Sequence, residues 1–280
     1  MNLVAFNTLP EETAWKELFN CCGSTEWADL MMEHFPFASE KQLVDLSSRI
    51  WYEECNEVDW CESFTLHPKI GDVKSLTEKF AGKEQAGVAV ATLETIEDLA
   101  KANSAYQDKN GFIFIVCATG KSAAEMLALL NDRLENKPGE ELNIAMGEQQ
   151  KITIIRFKKM LPDSDFSFLK VSQITTHVLD TSTGIPGKDI SIRLQAFRDN
   201  VWQTIAQGIT NKDGRIPDLL PQERNLKPDT YKMVFDTGSY YSNTKTFYPK
   251  VEIIFSTFDE THYHVPLLVN PFGYSTYRGS

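Results

Sequence analysis

The chain has 280 residues, 42% hydrophobic and 24% charged, which is the balance of an ordinary globular protein and more length than one typical domain needs. Its formal charge of −11 argues against a nucleic-acid groove or an anionic membrane surface as the main partner, but leaves room for a local cationic pocket for a small anion. Five cysteines without metal-type spacing read as reduced thiols. No apolar run approaches the roughly 18 residues of a membrane span, and the N-terminus lacks the charged and apolar regions of a signal peptide, so the expected location is the cytoplasm.

The first 160 or so residues carry helical periodicity. In "PEETAWKELFNCC", Trp15, Leu18, Phe19 and Cys22 fall on one stripe, with Pro10 near the first turn. Ser39 and Gln42 form a capping-box pattern ahead of Leu43, Leu46, Ile50 and Trp51. Leu93, Ile96, Leu99 and Ala100 make another stripe, stopped by Gly111; Ser122 and Glu125 cap "AAEMLALLNDRL"; a last helix runs from about Glu140 to Met160. The exception is "GFIFIVCATG", whose apolar run suits a buried strand. A lone strand has nothing to pair with, so the expectation is an extended segment threaded through a helical domain.

From about Val171 the period changes. "ISIRLQAF", "TYKMVFDT" and "VEIIFSTF" alternate apolar and polar residues, separated by turn signals at Thr183-Gly184, Pro186-Gly187, Lys212-Asp213-Gly214 and Pro228-Asp229. This pattern predicts an antiparallel sandwich or barrel. The stretch "KKMLPDSDFSFLK" reads as the boundary. The expected organisation is therefore multidomain: an all-α domain over 1–160, a linker over 161–171 and an all-β domain over 172–280.

Strand alternation puts His262 and His264 on one face. Such a pair suits metal binding with a third ligand such as His177, acid–base chemistry by one histidine, or two ordinary histidines; spacing alone leaves these open. The segments "ITTHVLDTSTGIPG", "GITNKDGRI" and "HYHVPLLVNPFGYSTYRGS" resemble the transthyretin-related 5-hydroxyisourate hydrolases over essentially all of residues 172–280. Most of those segments are shared in outline with transthyretin, so they identify the fold. The discriminating features are His177, Arg215, His264 and the terminal "YRGS", a combination that hormone-carrying transthyretins lack. The resemblance implies a transthyretin-like sandwich and a metal-free hydrolase. In it His177 and His264 position and deprotonate water, Arg215 polarises the substrate carbonyl, and Tyr277, Arg278 and the catalytic-site Ser280 close the pocket. It also implies a homotetramer with active sites between subunits. An extension past Ser280 is expected to intrude on that pocket.

In the first half, "FTLHPKIGD" holds His67 before Pro68, whose ring disfavours helical geometry at the histidine, and Gly71-Asp72 then turns the chain. A histidine on a rigid loop suits function, although a loop histidine bonded to backbone is the plainer reading. "EQAG", with Glu84 and Gln85, follows. With "CCGSTEWA", "KEQAG", "GFIFIVCATGKSAAEML" and "KITIIRF", these stretches resemble the 2-oxo-4-hydroxy-4-carboxy-5-ureidoimidazoline (OHCU) decarboxylases over roughly residues 5–160. The resemblance implies His67 as the catalytic residue with Glu84 as its acidic companion. Pro68, Gln85 and the backbone of Ile115 and Val116 would contact the substrate ring, and Arg156 is a candidate for its carboxylate. The expected assembly of the N-terminal domains is dimeric. Ala81 and Thr119 depart from the usual Ser and Arg.

"ATGKS" mimics the end of a phosphate-binding loop, but Ile115 stands where the motif needs glycine. Cys117 reads as a buried structural thiol and His34 as an ordinary histidine. Together the two resemblances imply a fusion enzyme without cofactor or metal. The first product, OHCU, would be the second substrate, and (S)-allantoin the end product.

Overall fold

The computed structural model describes residues 1–67, 93–169 and 171–279. Spatial contacts divide the chain into two compact units, Met1–Phe168 and Leu169–Ser280. Pro68, Ala81, Glu84, Gln85 and Ser280 lie outside the described residues.

In the first unit the described elements are helical. They are α1 (Leu3–Phe6), α2 (Glu11–Cys22), α3 (Thr25–Met32), α4 (Glu40–Arg49) running into a π-helical turn Ile50–Glu54, α5 (Glu57–Thr65), α6 (Leu93–Asn110), α7 (Ala123–Leu134) and α8 (Pro138–Met160). Capping chemistry marks several starts. Ser122 and Glu125 exchange side chain and backbone at the start of α7, and Asn56 and Asp59 do the same for α5. The Ser39–Gln42 pattern is only half a box. Ser39 Oγ accepts from the Gln42 N–H, but the Gln42 side chain accepts from Ala38 at 2.5 Å rather than from Ser39. On α2 the buried face is Ala14, Leu18, Cys21 and Cys22. Trp15 and Phe19 sit to one side and stack on each other, centroids 5.1 Å apart. Trp15 Nε1 donates to Asp29 Oδ1 of α3 at 2.6 Å, so this half-buried pair lies toward α3.

The core is rich in aromatic side chains whose polar tips find backbone partners. Trp27 Nε1 donates to the Ser47 carbonyl at 3.1 Å, and Trp51 Nε1 to the Met146 carbonyl at 3.0 Å. Residues Phe112–Cys117 are buried without regular secondary structure, as the sequence led one to expect. With no strand beside it among the described residues, this segment bonds its backbone to side chains: Asn103 Oδ1 accepts from Phe114 N–H (3.3 Å), Glu148 Oε2 from Cys117 N–H (2.7 Å), and Arg133 Nη1 donates to the Ile115 carbonyl (2.7 Å). Arg133 is itself held by buried Glu141, which also receives Tyr106 and Asn136. Full hydrogen bonding and mutual charge neutralisation are what make this buried pair tolerable.

The second unit is a two-sheet sandwich. Its strands are β1 (Ile174–Thr175), β2 (Val178–Asp180), β3 (Ile185–Pro186), β4 (Ser191–Arg198), β5 (Val201–Ile209), β6 (Thr230–Phe235), β7 (Val251–Ser256), β8 (Tyr263–His264), β9 (Leu267–Asn270) and β10 (Gly273–Thr276), with a short α9 (Thr237–Tyr240) between β6 and β7. One sheet has the order β5-β4-β6-β7, all antiparallel; the other is β10-β9-β2-β3, in which β2 and β9 run parallel. A parallel pair β1–β8 stands apart and aligns Thr175 with His264. The alternating apolar residues of both sheets, among them Ile192, Leu194, Met233, Phe235, Leu267 and Val269, meet in one core.

Candidate active sites

In the first unit, α2 ends at Cys22 because Gly23 turns left-handed (φ +90°), leaving the last carbonyls of the helix in need of donors. Side chains supply them. Arg156 Nη1, on α8, donates to the carbonyls of Asn20 (3.3 Å) and Cys21 (3.1 Å), where its charge also complements the helix dipole. The Cys22 carbonyl receives Ser63 Oγ at 2.6 Å and Gln149 Nε2 at 3.0 Å. Beside this helix end stands His67, just past α5, its Nε2 2.5 Å from Gln149 Oε1. Burial pushes the His67 imidazole below its ordinary pKa; the Arg156 charge pushes the same way, and the Gln149 hydrogen bond opposes them. Burial and Arg156 thus both favour the neutral form of the His67 ring.

The structure thus brings His67 and Arg156 together around the end of α2. Ile115 keeps its carbonyl occupied by Arg133, and Val116 is buried beside it. Cys117 is buried, and its thiol is pushed up by burial and by nearby Glu148, which suits a structural thiol and not a nucleophile.

In the second unit, β-structure assembles the residues from three distant stretches. His177 bridges to Arg215 in an antiparallel step, while Leu267 N–H donates to the His177 carbonyl. Arg215 Nη2 lies 3.3 Å from His177 Nδ1. A guanidinium has no acceptor, so Arg215 donates and Nδ1 accepts. His264 reaches Thr175 Oγ1 through Nδ1 at 2.9 Å, and the same hydroxyl meets His262 Nε2 at 2.8 Å. The rings of His262 and His264 lie nearly parallel, centroids 6.4 Å apart. Burial lowers the pKa of both His177 and His264. Arg215 adds to this for both, and His262 and His177 add further for His264, whereas Asp213 opposes it for His177.

The terminal segment closes on this cluster by backbone. Gly279 N–H donates to the His264 carbonyl at 2.9 Å. Arg278 lies with its guanidinium 5.2 Å above the Tyr263 ring, and Tyr277 is exposed. Among the described residues neither hydrogen-bonds His177, Arg215 or His264; what the tail contributes directly is the close packing of Gly279.

The family model for OHCU decarboxylase matches residues 7–158, and that for the HIUase/transthyretin family matches residues 174–279. The uric acid degradation bifunctional protein TTL of Arabidopsis thaliana is 34% identical over 96% of this chain and 98% of its own length. The chain belongs to the bifunctional urate-degradation enzymes. The 5-hydroxyisourate hydrolase of Mus musculus is 44% identical over 39% of this chain and 96% of its own. A crystal structure of (S)-allantoin synthase covers both chains fully at 25% identity and a TM-score of 0.46.

As a member of this bifunctional family, the chain is both a hydroxyisourate hydrolase and an OHCU decarboxylase of urate degradation. Two polar residues that touch the expected histidines in these urate-degradation domains escaped the motif reading. Gln149 lies in "GEQQKIT", three successive buried polar residues in the middle of a helix, a run that itself signals a site. Thr175 precedes His177 by two residues and so shares its face.

Proposed function

We propose that the two reactions use two separate sets of side chains, His177, Arg215 and His264 for hydrolysis and His67 with Glu84 for decarboxylation. The observation that carries this reading is the 3.3 Å Arg215–His177 hydrogen bond beside His264, which sorts the roles of the two histidines. With Nδ1 accepting from Arg215, a neutral His177 carries its proton on Nε2 and acts as a donor. With Nδ1 engaged by Thr175, His264 has Nε2 left for water. His264 takes a proton from water as its oxygen bonds the ring amide carbon; Arg215 and His177 stabilise the oxyanion; the C–N bond breaks and the nitrogen takes the proton back. Tyr277, Arg278 and Ser280 complete the pocket wall.

In decarboxylation the C–C bond to the carboxylate breaks, its electrons pass into the ring's own C=N and carbonyl groups, and the carbon is protonated on one face. His67, neutral and beside Arg156, suits the proton shuttle, and Arg156 suits the substrate carboxylate. Pro68, Gln85 and the backbone at Ile115 and Val116 bound the ring.

The linker is proposed within 161–171. Leu3 N–H donates to Ser164 Oγ and the N-terminal amine pairs with Asp163, so its first residues stay on the first unit. We further propose a cytoplasmic homotetramer built through the second unit, with dimeric first units. Exposed Phe247, Ile254, Phe258 and Phe272 on the second unit support an interface there.

The test is to add fresh 5-hydroxyisourate and follow ultraviolet absorbance and circular dichroism together. Rapid decay with an optically active product supports both sites. Decay at the buffer rate would instead mark a transthyretin-like carrier, and sedimentation of the same sample checks the tetramer.

A further inference from the structure

We infer that Gln149 is the positioning residue of the decarboxylase site: its side-chain carbonyl holds the proton of His67 on Nε2, which makes Nδ1 the nitrogen that exchanges a proton with substrate. The inference rests on His67 being the reacting histidine.

The argument turns on which way the Gln149 amide points. Oxygen and nitrogen of an amide are told apart by their partners. Gln149 Nε2 faces the Cys22 carbonyl at 3.0 Å and Thr153 Oγ1 at 3.3 Å. A carbonyl can only accept, so the NH2 group must be on that side. Thr153 Oγ1 lies 3.2 Å from the Gln149 carbonyl, one helical turn back, which gives its own proton an outlet and leaves a lone pair for Nε2. A flipped amide would set two carbonyl oxygens against each other in a fully buried position. Oε1 therefore faces His67, and an oxygen with no hydrogen can only accept. The 2.5 Å approach of His67 Nε2 thus requires a proton on Nε2.

The Cys22 carbonyl is the fixed point of this chain. It exists as a free acceptor because α2 stops at Gly23, and Ser63 Oγ holds it from the other side. A helix end thus orients an amide, the amide orients an imidazole, and the neutral ring presents the Nδ1 lone pair. Among the described residues no hydrogen bond to Nδ1 is present. The charged group acting on the ring among the described residues is Arg156, which disfavours the imidazolium as burial does.

The direct test is the tautomer. In the full-length enzyme labelled with ring-15N histidine, with the His67 signals assigned through His67→Asn, the neutral ring should show a protonated Nε2 and a bare Nδ1. A protonated Nδ1 would overturn the inference without any variant having to fold. Gln149→Leu and Gln149→Met then probe the consequence. Each should lower kcat for decarboxylation by about tenfold or more with KM little changed, because an unheld ring samples the wrong tautomer. The acid limb of the residual rate should also move to lower pH, since the imidazolium loses more than the neutral ring when its acceptor goes. Folded variants with unchanged kcat and an unchanged limb would sink the inference. Failure of the underlying reading looks different: His67→Asn would then still give optically active allantoin.

Discussion

A side chain at position 279 would collide with His264: a Cβ built there lies 2.4 Å from Cδ2 of the imidazole and 3.0 Å from Cγ. The ring is tethered through Nδ1 to the Thr175 hydroxyl, while the Gly279 N–H holds the His264 main-chain carbonyl, so ring and tail are both fixed where they meet. Gly279→Ala should displace His264 by the better part of an ångström and lower hydrolase kcat by about 100-fold. Decarboxylation of separately supplied OHCU should be unchanged in the same variant. A normal hydrolase rate would mean that the tail does not pack against the working position of His264.

Arg215 acts on both histidines of the hydrolase cluster, and its removal has a signed consequence for pH. In the free enzyme, burial first and the Arg215 charge second hold His177 and His264 below the ordinary histidine value of 6.5. The acid limb of kcat/KM for hydrolysis should therefore fall below about pH 6.5. Arg215→Ala removes a positive charge facing both rings, so both pKa values rise and the limb moves to higher pH, while turnover drops by about 100- to 1,000-fold from the lost oxyanion donor. Asp213 beside His177 and His262 beside His264 remain in place and do not reverse the sign. A residual limb that stays put would separate Arg215 from the histidines electrostatically.

Much of this arrangement is legible in the chain, for identifiable reasons. The change from helical to alternating period near Val171 reflects two ways of burying apolar surface, so it marks the fold classes without any contact being known. His177, Arg215 and His264 stand in glycine- and proline-marked stretches whose local conformation is dictated by residue type. Gln149 was not legible as a partner of His67 because 82 residues separate them and only tertiary packing of α2, α5 and α8 joins them. The partners of the Phe112–Cys117 segment were equally hidden, since side chains from three helices replace the neighbouring strand. Trp15 and Phe19 misled in the opposite direction: helical spacing placed them on the stripe with Leu18 and Cys22, but the buried face is Ala14, Leu18, Cys21 and Cys22, and the two aromatics are half-buried beside it.

Arg133 and Glu141 form the ion pair on which the extended segment depends, and both are almost fully buried. Arg133 also covers the Phe114 ring, its Cζ 4.7 Å from the centroid, while its Nη1 holds the Ile115 carbonyl. Arg133→Met should destabilise the first unit by about 3–5 kcal/mol, because it strands the Glu141 charge and the Ile115 carbonyl together. The double variant Arg133→Met/Glu141→Leu should recover part of that loss by removing the stranded charge. Four of the five tryptophans precede residue 161, so denaturant unfolding followed by tryptophan fluorescence reads this unit. Equal losses in the single and double variants would show that the charge is not the cause.

The proposed residues of the two reactions, His67 on one side and His177, Arg215 and His264 on the other, fall in separate compact units. Each should therefore be lost alone. His67→Asn should hydrolyse 5-hydroxyisourate at the normal rate and release OHCU, which then decays to racemic allantoin. His264→Ala should fail to hydrolyse but still convert supplied OHCU to the optically active product. Mixing the two variants should restore optically active allantoin from 5-hydroxyisourate, because OHCU leaves one molecule and reaches another. The yield of the S enantiomer should rise with the concentration of the His264→Ala partner, since capture competes with spontaneous decay. The intact chain should need no such excess if its tethered second site captures OHCU at high local concentration. Chiral analysis of the product across a titration of the two variants measures this. A racemic product at every ratio would mean that the two sites do not act independently.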